Sequence, residues 1–431
     1  MLSSNITVGT NGHLYFGGQD TVAMAAEFGT PLYLMDEVRV RENMRMYIKA
    51  FAEHFGPGAQ PLYASKANSF KRIYEIAREE GMGIDVVSSG EIYTAIKAGF
   101  PLENAWFHSN NKTDWDIAFA MDNGVGHFVV DNKEELDAIN AIAGEKGNKQ
   151  PILLRLTPGI DPHTDEAVAT GKVDSKFGTA IETGQALEMV RYTLGLANIE
   201  LEGFHCHVGS QVFGEDIYER ASDIMLEFMA QCRDEFGVTL PVLDLGGGYG
   251  VRYVDTDGYV DIPAAIGRVA AHMKAKCAAL GMELPEIHME PGRSIVADAG
   301  MTLYEVGTIK KITGYKNYVS VDGGMTDNPR YALYESKYTV YLASRPEDEK
   351  DLVADVVGRC CESGDIIQPE VALPEPKRGE ILAVCTTGAY NYSMASNYNR
   401  VTRPATVMVT PEKAYVAVKR ESLDDLVRND V

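Results

Sequence analysis

Eight short apolar runs, at residues 61–64, 84–87, 105–107, 127–130, 152–156, 201–204, 242–245 and 287–289, recur along the chain. They alternate with helix-compatible segments at 70–80, 91–98, 113–122, 133–146, 182–196, 216–236 and 262–280. Strand and helix in alternation, eight times over roughly 230 residues, is the pattern of a (β/α)8 barrel of the TIM type. Some helix starts carry their own signal. In Ser88-Ser89-Gly90-Glu91, a serine followed three residues on by a glutamate can form a capping box. An open doubly wound sheet is the alternative, and its dinucleotide site requires Gly-x-Gly-x-x-Gly opening the helix after an early strand. No such fingerprint follows the early runs. The glycine cluster Gly246-Gly247-Gly248-Tyr249-Gly250 comes instead after the seventh run. There it is either a flexible linker or a backbone cradle for phosphate, since late-strand loops of barrels often hold that group on converging N–H donors.

A helical pattern over 36–54 leads into the barrel, which is expected to span 36–294. From about Ile295 the texture changes to shorter β-rich pieces, at 302–309, 318–321, 338–341, 352–357, 381–384, 405–409 and 414–417, separated by Gly, Pro and Asp clusters. These predict a C-terminal β-rich domain over 295–431. Residues 1–35 hold turn signals between β-like pieces, too few for a domain, and are expected to complete the C-terminal sheet. A chain of 431 residues has the length for one barrel plus a second domain.

With 62 Asp and Glu against 40 Lys and Arg, the formal net charge is -22. That field repels nucleic acid and anionic membrane surfaces, so neither is an expected partner. No stretch approaches the ~18 continuous apolar residues of a membrane span, and Met1 to Asn5 lack the start of an export signal. Six cysteines, at 206, 232, 277, 360, 361 and 385, include no short-spaced pairs of the kind that build metal knuckles. A soluble protein of the reducing cytoplasm is expected.

In a barrel, chemistry gathers where the strands finish. The first run delivers Lys66, and a lysine at the end of a buried strand is expected to lose solvation. Its neutral amine then becomes available for Schiff-base chemistry with a carbonyl cofactor; the ordinary alternative is a lysine reaching solvent from a strand end. The sixth run ends in His205-Cys206-His207, with both histidines on one face by alternation. Two histidines at this spacing can bind zinc, but no third ligand or acidic partner lies near in sequence, and no metal is expected. The eighth run ends in Glu290-Pro291-Gly292-Arg293. A carboxylate and a guanidinium at a barrel mouth are poor packing material unless they bind something. Cys360 and Cys361 would point opposite ways on a strand, so one alone could face a site.

Five motifs stand in a familiar order: Tyr63-Ala64-Ser65-Lys66-Ala67-Asn68, His207-Val208-Gly209-Ser210-Gln211, Gly246-Gly247-Gly248, Glu290-Pro291-Gly292-Arg293 and Cys361-Glu362-Ser363-Gly364-Asp365. Over roughly residues 63–390 the chain resembles the pyridoxal-phosphate decarboxylases of the alanine-racemase-like barrel fold, fold type III, and the diaminopimelate decarboxylase family in particular. The resemblance implies pyridoxal 5'-phosphate as cofactor, held by Lys66 as a Schiff base until the substrate amine displaces the lysine. It implies that His207 lies against the cofactor ring. Ser210, Gly248 and the turn Pro291-Gly292-Arg293 would hold the phosphate through hydroxyl, backbone and guanidinium donors. Glu290 would face the pyridine nitrogen and keep the ring protonated, so that it accepts the electrons freed when carbon dioxide leaves. Related alanine racemases place an arginine there, so a glutamate favours decarboxylation. Cys361 would return a proton to the carbanion from the second subunit of a homodimer, whose active site is shared across the interface.

The same resemblance matches Arg330 and Tyr334, in Asn328-Pro329-Arg330-Tyr331-Ala332-Leu333-Tyr334, to substrate residues, with Arg293 a third. The guanidinium groups would grip a distal carboxylate, Glu362 would meet a distal ammonium, and Tyr390 would reach both cofactor and substrate. This implies decarboxylation of meso-2,6-diaminopimelate at its D-configured centre to L-lysine and carbon dioxide, the last step of lysine biosynthesis. Ornithine would leave the arginines unpaired. A decarboxylase of ornithine, arginine or carboxynorspermidine would keep the cofactor machinery and change the distal pocket. A non-catalytic relative that merely carries the cofactor would be expected to lack Lys66, Cys361 or the β domain. His163, Thr170-Gly171 and Ser175-Lys176-Phe177-Gly178 also fit the diaminopimelate pattern, without an assigned step. One departure is Tyr331, where the family commonly has proline, which bears on the placement of Arg330.

Overall fold

In the computed structural model, which describes residues 1–160, 175–214 and 216–431, every one of the eight apolar runs is a strand. They are β1 (Gln60–Ala64), β2 (Gly83–Val86), β3 (Ala105–Phe107), β4 (His127–Val130), β5 (Gln150–Thr157), β6 (Ile199–His205), β7 (Val242–Asp244) and β8 (Glu286–Met289). Each pairs in parallel with the next, and β8 pairs with β1 through His288 opposite Gln60 and Met289 opposite Pro61, which closes the barrel. Closure buries both faces of every strand, which is why the runs read as continuously apolar rather than alternating. Leu62, Trp106, Val129, Leu153 and Val242, from five of these strands, pack into one fully enclosed cluster. Each such side chain stabilises the barrel by about 1.5–3 kcal/mol relative to exposure. Where two strands approach most closely, side chains are absent altogether: a Cβ on Gly203 of β6 would stand 1.8 Å from the Val242 carbonyl oxygen.

The intervening helices follow the expected segments, among them Lys71–Glu80, Ser89–Lys97, Ile217–Phe236 and Ile262–Leu280. The capping box at Ser88 is only half formed. The Ser88 hydroxyl accepts the Glu91 N–H at 3.2 Å, but the Glu91 carboxyl turns away to accept from the Val87 N–H at 2.7 Å and the Ser65 hydroxyl at 3.0 Å.

The chain divides into two compact units: Met44–Gly250 with Tyr259–Gly292, which holds the barrel, and Met1–Asn43 with Val251–Gly258 and Arg293–Val431, which is β-rich. The second is built around the long strand Gly300–Ile312. Its residues alternate between two cores, Met301 and Leu303 facing one and Tyr304 and Val306 the other. Leu32–Asp36, from the N-terminal segment, pairs antiparallel with this strand and parallel with Ala405–Val409, so the N-terminal segment does complete the C-terminal sheet. The residues before it do not. Ile6–Val8, Leu14–Phe16 and Gln19–Asp20 form their own three-stranded sheet. Thr21–Phe28 is a helix, because the Asp20 carboxylate accepts the N–H groups of Val22 and Ala23 and caps it. The strand Ile366–Leu373 was not expected either, since proline is unfavourable inside a strand. Pro369 is accommodated at a bulge: Val356 pairs with Gln368 and Ala354 with Val371, leaving two residues opposite one, and Glu370 takes φ +52°.

Candidate active site

Every strand of the barrel brings a polar side chain to its carboxyl end. These are Lys66 just after β1, Asp85 in β2, His108 after β3, Asp131 after β4, Arg155 in β5, His205 and His207 around the end of β6, Asp244 in β7 and Glu290 after β8. Closing the sheet makes them neighbours. His108 Nε2 lies 2.7 Å from Glu290 Oε1, and His205 Nε2 lies 3.2 Å from Glu290 Oε2. Lys66 Nζ is 3.9 Å from Asp85 Oδ2, and Arg155 Nε is 3.9 Å from Asp131 Oδ1. The sixth strand's histidines therefore part company. His205 gains the acidic neighbour that sequence proximity could not show, and with His108 and Glu290 it forms a group able to hold a metal ion. His207 lies beside the glycine turn, its Nδ1 accepting the Gly247 N–H at 3.3 Å. Burial and the charge of Lys66 push the His207 imidazole well below its usual range and keep it neutral.

Lys66 does not lose its solvation as expected. It sits in the short 3-10 turn Ser65–Ala67 beyond β1, and 46% of its side chain is exposed. The turn itself is stapled on both sides: the Tyr63 hydroxyl donates to the Asn68 carbonyl at 2.8 Å, and the Ser65 hydroxyl donates to the Asp85 carbonyl at 2.6 Å. Burial, with the Asp85 charge adding, lifts the Glu91 carboxyl behind this turn from 4.5 to about 7. Between those values the folded chain keeps a proton that the unfolded chain has released, so the Glu91 contribution to stability falls as pH rises through this window. Glu91→Gln preserves an acceptor for Val87 and Ser65 and removes the ionisation. The variant is expected to match the wild type near pH 4.5 and exceed it by up to about 3 kcal/mol at pH 8, measured by urea unfolding. A stability difference independent of pH would refute this role.

The glycine cluster is a packed turn, not a linker. A Cβ on Gly247 would stand 2.0 Å from the Glu290 carbonyl oxygen, and one on Gly248, at φ +128°, would stand 2.1 Å from the Gly209 carbonyl oxygen. Hydrogen bonds from the Val212 N–H to the Gly248 carbonyl and from the Gly250 N–H to the Val212 carbonyl, both 2.9 Å, tie it to the segment carrying Ser210. After β8 the Ala64 N–H donates to the Pro291 carbonyl at 3.1 Å, and a Cβ on Gly292 would meet Ala64 and Ala67 at about 3 Å. Pro291-Gly292 is thereby packed on the base of the Lys66 turn. Gly247→Ala should lower the unfolding free energy by about 1–3 kcal/mol, because the obstructing atom is backbone and cannot rotate away. Wild-type stability in a urea titration would show that the turn yields. A cradle that admits no Cβ, an amine and a buried carboxylate are a donor set that fits a phosphorylated pyridine aldehyde.

In the β-rich unit, Arg293 and Arg330 are both buried against the ring of Tyr390, with guanidinium carbons 4.8 and 5.2 Å from its centroid. Arg293 Nη1 donates to the Tyr253 hydroxyl at 2.8 Å. Arg330 also stacks on Tyr334, at 4.9 Å. Tyr331 does not disturb this arrangement: Arg330–Tyr334 is a one-turn helix, whose second position accepts tyrosine as readily as proline. Tyr390 holds φ +65°, strained for an aromatic residue, and its loop is set by Gly388, where a Cβ would stand 1.8 Å from the Val296 carbonyl oxygen. Cys360 and Cys361 lie in a turn, not on a strand. The buried Asp365 carboxylate shapes it, accepting from the Cys360 N–H at 2.7 Å and the Met325 N–H at 2.6 Å. Burial and Asp365 push the Cys360 thiol up to about 11, whereas Cys361 and Glu362 are exposed.

Asp85, His108, Asp131, Arg155 and Asp244 were not singled out from the sequence. His108 and Asp131 sit just past the end of an apolar run, where the rule that found Lys66 and Glu290 would have found them, whereas Asp85, Arg155 and Asp244 are charged residues inside runs. Ser175 to Gly178 are among the described residues, and the Gly178 N–H donates to Asp131 Oδ1 at 2.9 Å. His163, Thr170 and Gly171 lie outside the described residues. None of the helices among the described residues is long and apolar enough to cross a membrane.

Residues 39–297 match the family of the pyridoxal-dependent decarboxylase, pyridoxal binding domain. The diaminopimelate decarboxylase of Bacillus subtilis is 42% identical over 421 residues, 98% of this chain and 96% of its own. Among solved structures, the diaminopimelate decarboxylase of M. jannaschii superimposes with a TM-score of 0.90 at 30% identity, covering 99% of this chain and 98% of its own. That of Helicobacter pylori, complexed with L-lysine, superimposes with a TM-score of 0.86 at 32% identity, covering 94% and 98%. With the barrel closed, the strand ends gathered and this identity sustained along nearly the whole length, the chain belongs to the diaminopimelate decarboxylase family of pyridoxal-phosphate-dependent enzymes.

Proposed function

We propose that the chain decarboxylates meso-2,6-diaminopimelate to L-lysine and carbon dioxide, as the last step of lysine biosynthesis, and that it works as a homodimer in the cytoplasm. The substrate choice is carried by the buried guanidinium groups of Arg293 and Arg330 against Tyr390. Among the described residues, Arg330 donates a long hydrogen bond, 3.5 Å, to the Ser336 hydroxyl, and its Nε has no partner. A buried cation without an anion is costly, and a carboxylate brought by the substrate relieves it. A substrate ending in an amine alone does not.

The roles of the remaining residues follow from the same reading. Residues 36–294 are read as the cofactor-binding domain, with 1–35 and 295–431 joined in the second, although 36–43, 251–258 and 293–294 cluster with the β-rich unit. Lys66 would hold the cofactor through its amine. His207, neutral, would pack on the ring; Ser210, Gly248 and the turn Pro291 to Arg293 would hold the phosphate; Glu290 would face the ring nitrogen. Bound pyridoxal phosphate supplies the electron sink for the pair left when the carbon–carboxylate bond breaks. Cys361 of the second chain of the dimer then gives a proton to that carbon, a task for which its exposure on the β-rich unit suits it. Glu362 beside it meets the distal ammonium, and Tyr334 and Tyr390 frame the distal carboxylate.

The test is to incubate the purified protein and pyridoxal phosphate separately with meso-diaminopimelate, ornithine, arginine and carboxynorspermidine, following carbon dioxide and product. Lysine from diaminopimelate, with little turnover of the others, is the expected result. Putrescine from ornithine with no lysine formed would overturn it.

A further inference from the structure

The barrel mouth holds four buried carboxyl groups, on Asp85, Asp131, Asp244 and Glu290, and their surroundings differ: Asp131 accepts the Gly178 N–H at 2.9 Å and faces Arg155. Neither oxygen of Asp85 has a hydrogen-bond partner among the described residues. Asp244 accepts the Gly246 N–H through Oδ1 at 2.8 Å, while its Oδ2 has no such partner. Glu290 alone has an imidazole nitrogen at each oxygen, His108 Nε2 at 2.7 Å and His205 Nε2 at 3.2 Å, with the two rings edge to face at 4.9 Å. Lone pairs cannot face one another at these distances, so both histidines present Nε2–H to the carboxylate. His205 Nδ1 is then a bare acceptor, and it is buried without a partner, which a lone pair tolerates better than an N–H would. The His108 contact is close but off hydrogen-bond geometry, so the pair is held as much by charge as by direction.

Electrostatics agree with this assignment. Burial raises Asp85 and raises Asp244 further, toward their neutral forms, although Lys66 and His108 oppose the shift at Asp85. Glu290 is just as buried, yet His108 and His205 hold it well below the usual carboxylate range. Burial pushes the His205 imidazole down to about 4, so it donates as a neutral ring. The other titratable or charged groups acting on this cluster include Glu91, Asp131, Arg155, Cys206 and His207.

We infer that His108 and His205 are positioning residues that fix the Glu290 carboxylate at the barrel mouth from both of its oxygens, and through it hold the proton on the ring nitrogen of the bound cofactor. A carboxylate with one oxygen hydrogen-bonded to His205 and the other in close contact with His108 keeps its remaining lone pairs for the ring N–H and competes weakly for its proton. This inference rests on the reading of Glu290 as the group opposite the ring nitrogen.

The test compares dissociation constants of the apo-protein for pyridoxal phosphate and for its 1-deaza analogue, in which carbon replaces the ring nitrogen. The wild type should bind pyridoxal phosphate about 10–100-fold more tightly than the analogue, the range for one hydrogen bond to a charged group. His108→Leu and His205→Leu should each reduce that ratio by at least about fivefold, and His108→Gln, which restores an N–H donor, should recover most of it. A histidine that merely packs would weaken both ligands equally and leave the ratio unchanged, which overturns the inference. A wild-type ratio near one, unaffected by Glu290→Gln, would show instead that the reading of Glu290 itself is wrong. The same titrations run with EDTA guard against a metal ion in this group: a ratio that depends on the chelator assigns the cluster to the metal and overturns the clamp.

Discussion

Lys66→Ala should lower turnover of meso-diaminopimelate by at least roughly 10³-fold, because the variant loses the amine through which the cofactor is bound and handed to the substrate. The loss should be chemical and not structural. The fold of the turn depends on the Tyr63–Asn68 and Ser65–Asp85 hydrogen bonds, which the substitution leaves in place, and the Lys66 side chain is about half exposed. The unfolding free energy should therefore stay within about 0.5 kcal/mol of wild type. Reduction with borohydride followed by digestion should find the cofactor on the Lys66 peptide in the wild type and on no peptide in the variant. Retention of more than a tenth of wild-type turnover would remove Lys66 from the role proposed for it.

Arg330→Met tests the substrate reading with the second largest effect. Methionine keeps an apolar stem against Tyr334 and Tyr390 and removes the charge. If Arg330 receives the distal carboxylate, kcat/KM for meso-diaminopimelate should fall about 10²–10⁴-fold, the range for cutting one partner from a buried charge pair. Discrimination against ornithine should fall with it, since ornithine never used the interaction. Stability should be unchanged or slightly increased, because the substitution removes a buried cation that has no carboxylate partner among the described residues. A loss of activity with matching loss of stability would point to packing, and a change in kcat/KM under threefold would place the carboxylate elsewhere.

Much of this architecture was legible before any coordinate. Each barrel strand is short, apolar on both faces and separated from the next by an amphipathic helix, so local pattern and global topology carry the same information. The long strand Gly300–Ile312 was equally readable, because its two faces meet two cores. Where local rules were outweighed, the reason is specific. Asp20 turned a β-like piece into a helix by capping it, and a bulge admitted Pro369 into a strand. Glu91 left its capping partner for Val87 and Ser65, because packing beside the Lys66 turn offered stronger donors.

The amino-acid sequence by itself determined the barrel, the second β-rich unit and the order of the motifs, since all three follow from short-range periodicity and residue identity. Only the tertiary structure decided how the strand-end groups are charged and held. His205 and Glu290 are 85 residues apart and meet because the sheet closes. Lys66 keeps its solvation because a turn, not the strand, carries it, and the glycines are packed because backbone from other strands fills the space a Cβ would need. Charge state depends on burial and on neighbours distant in sequence, and both exist only once the chain has folded.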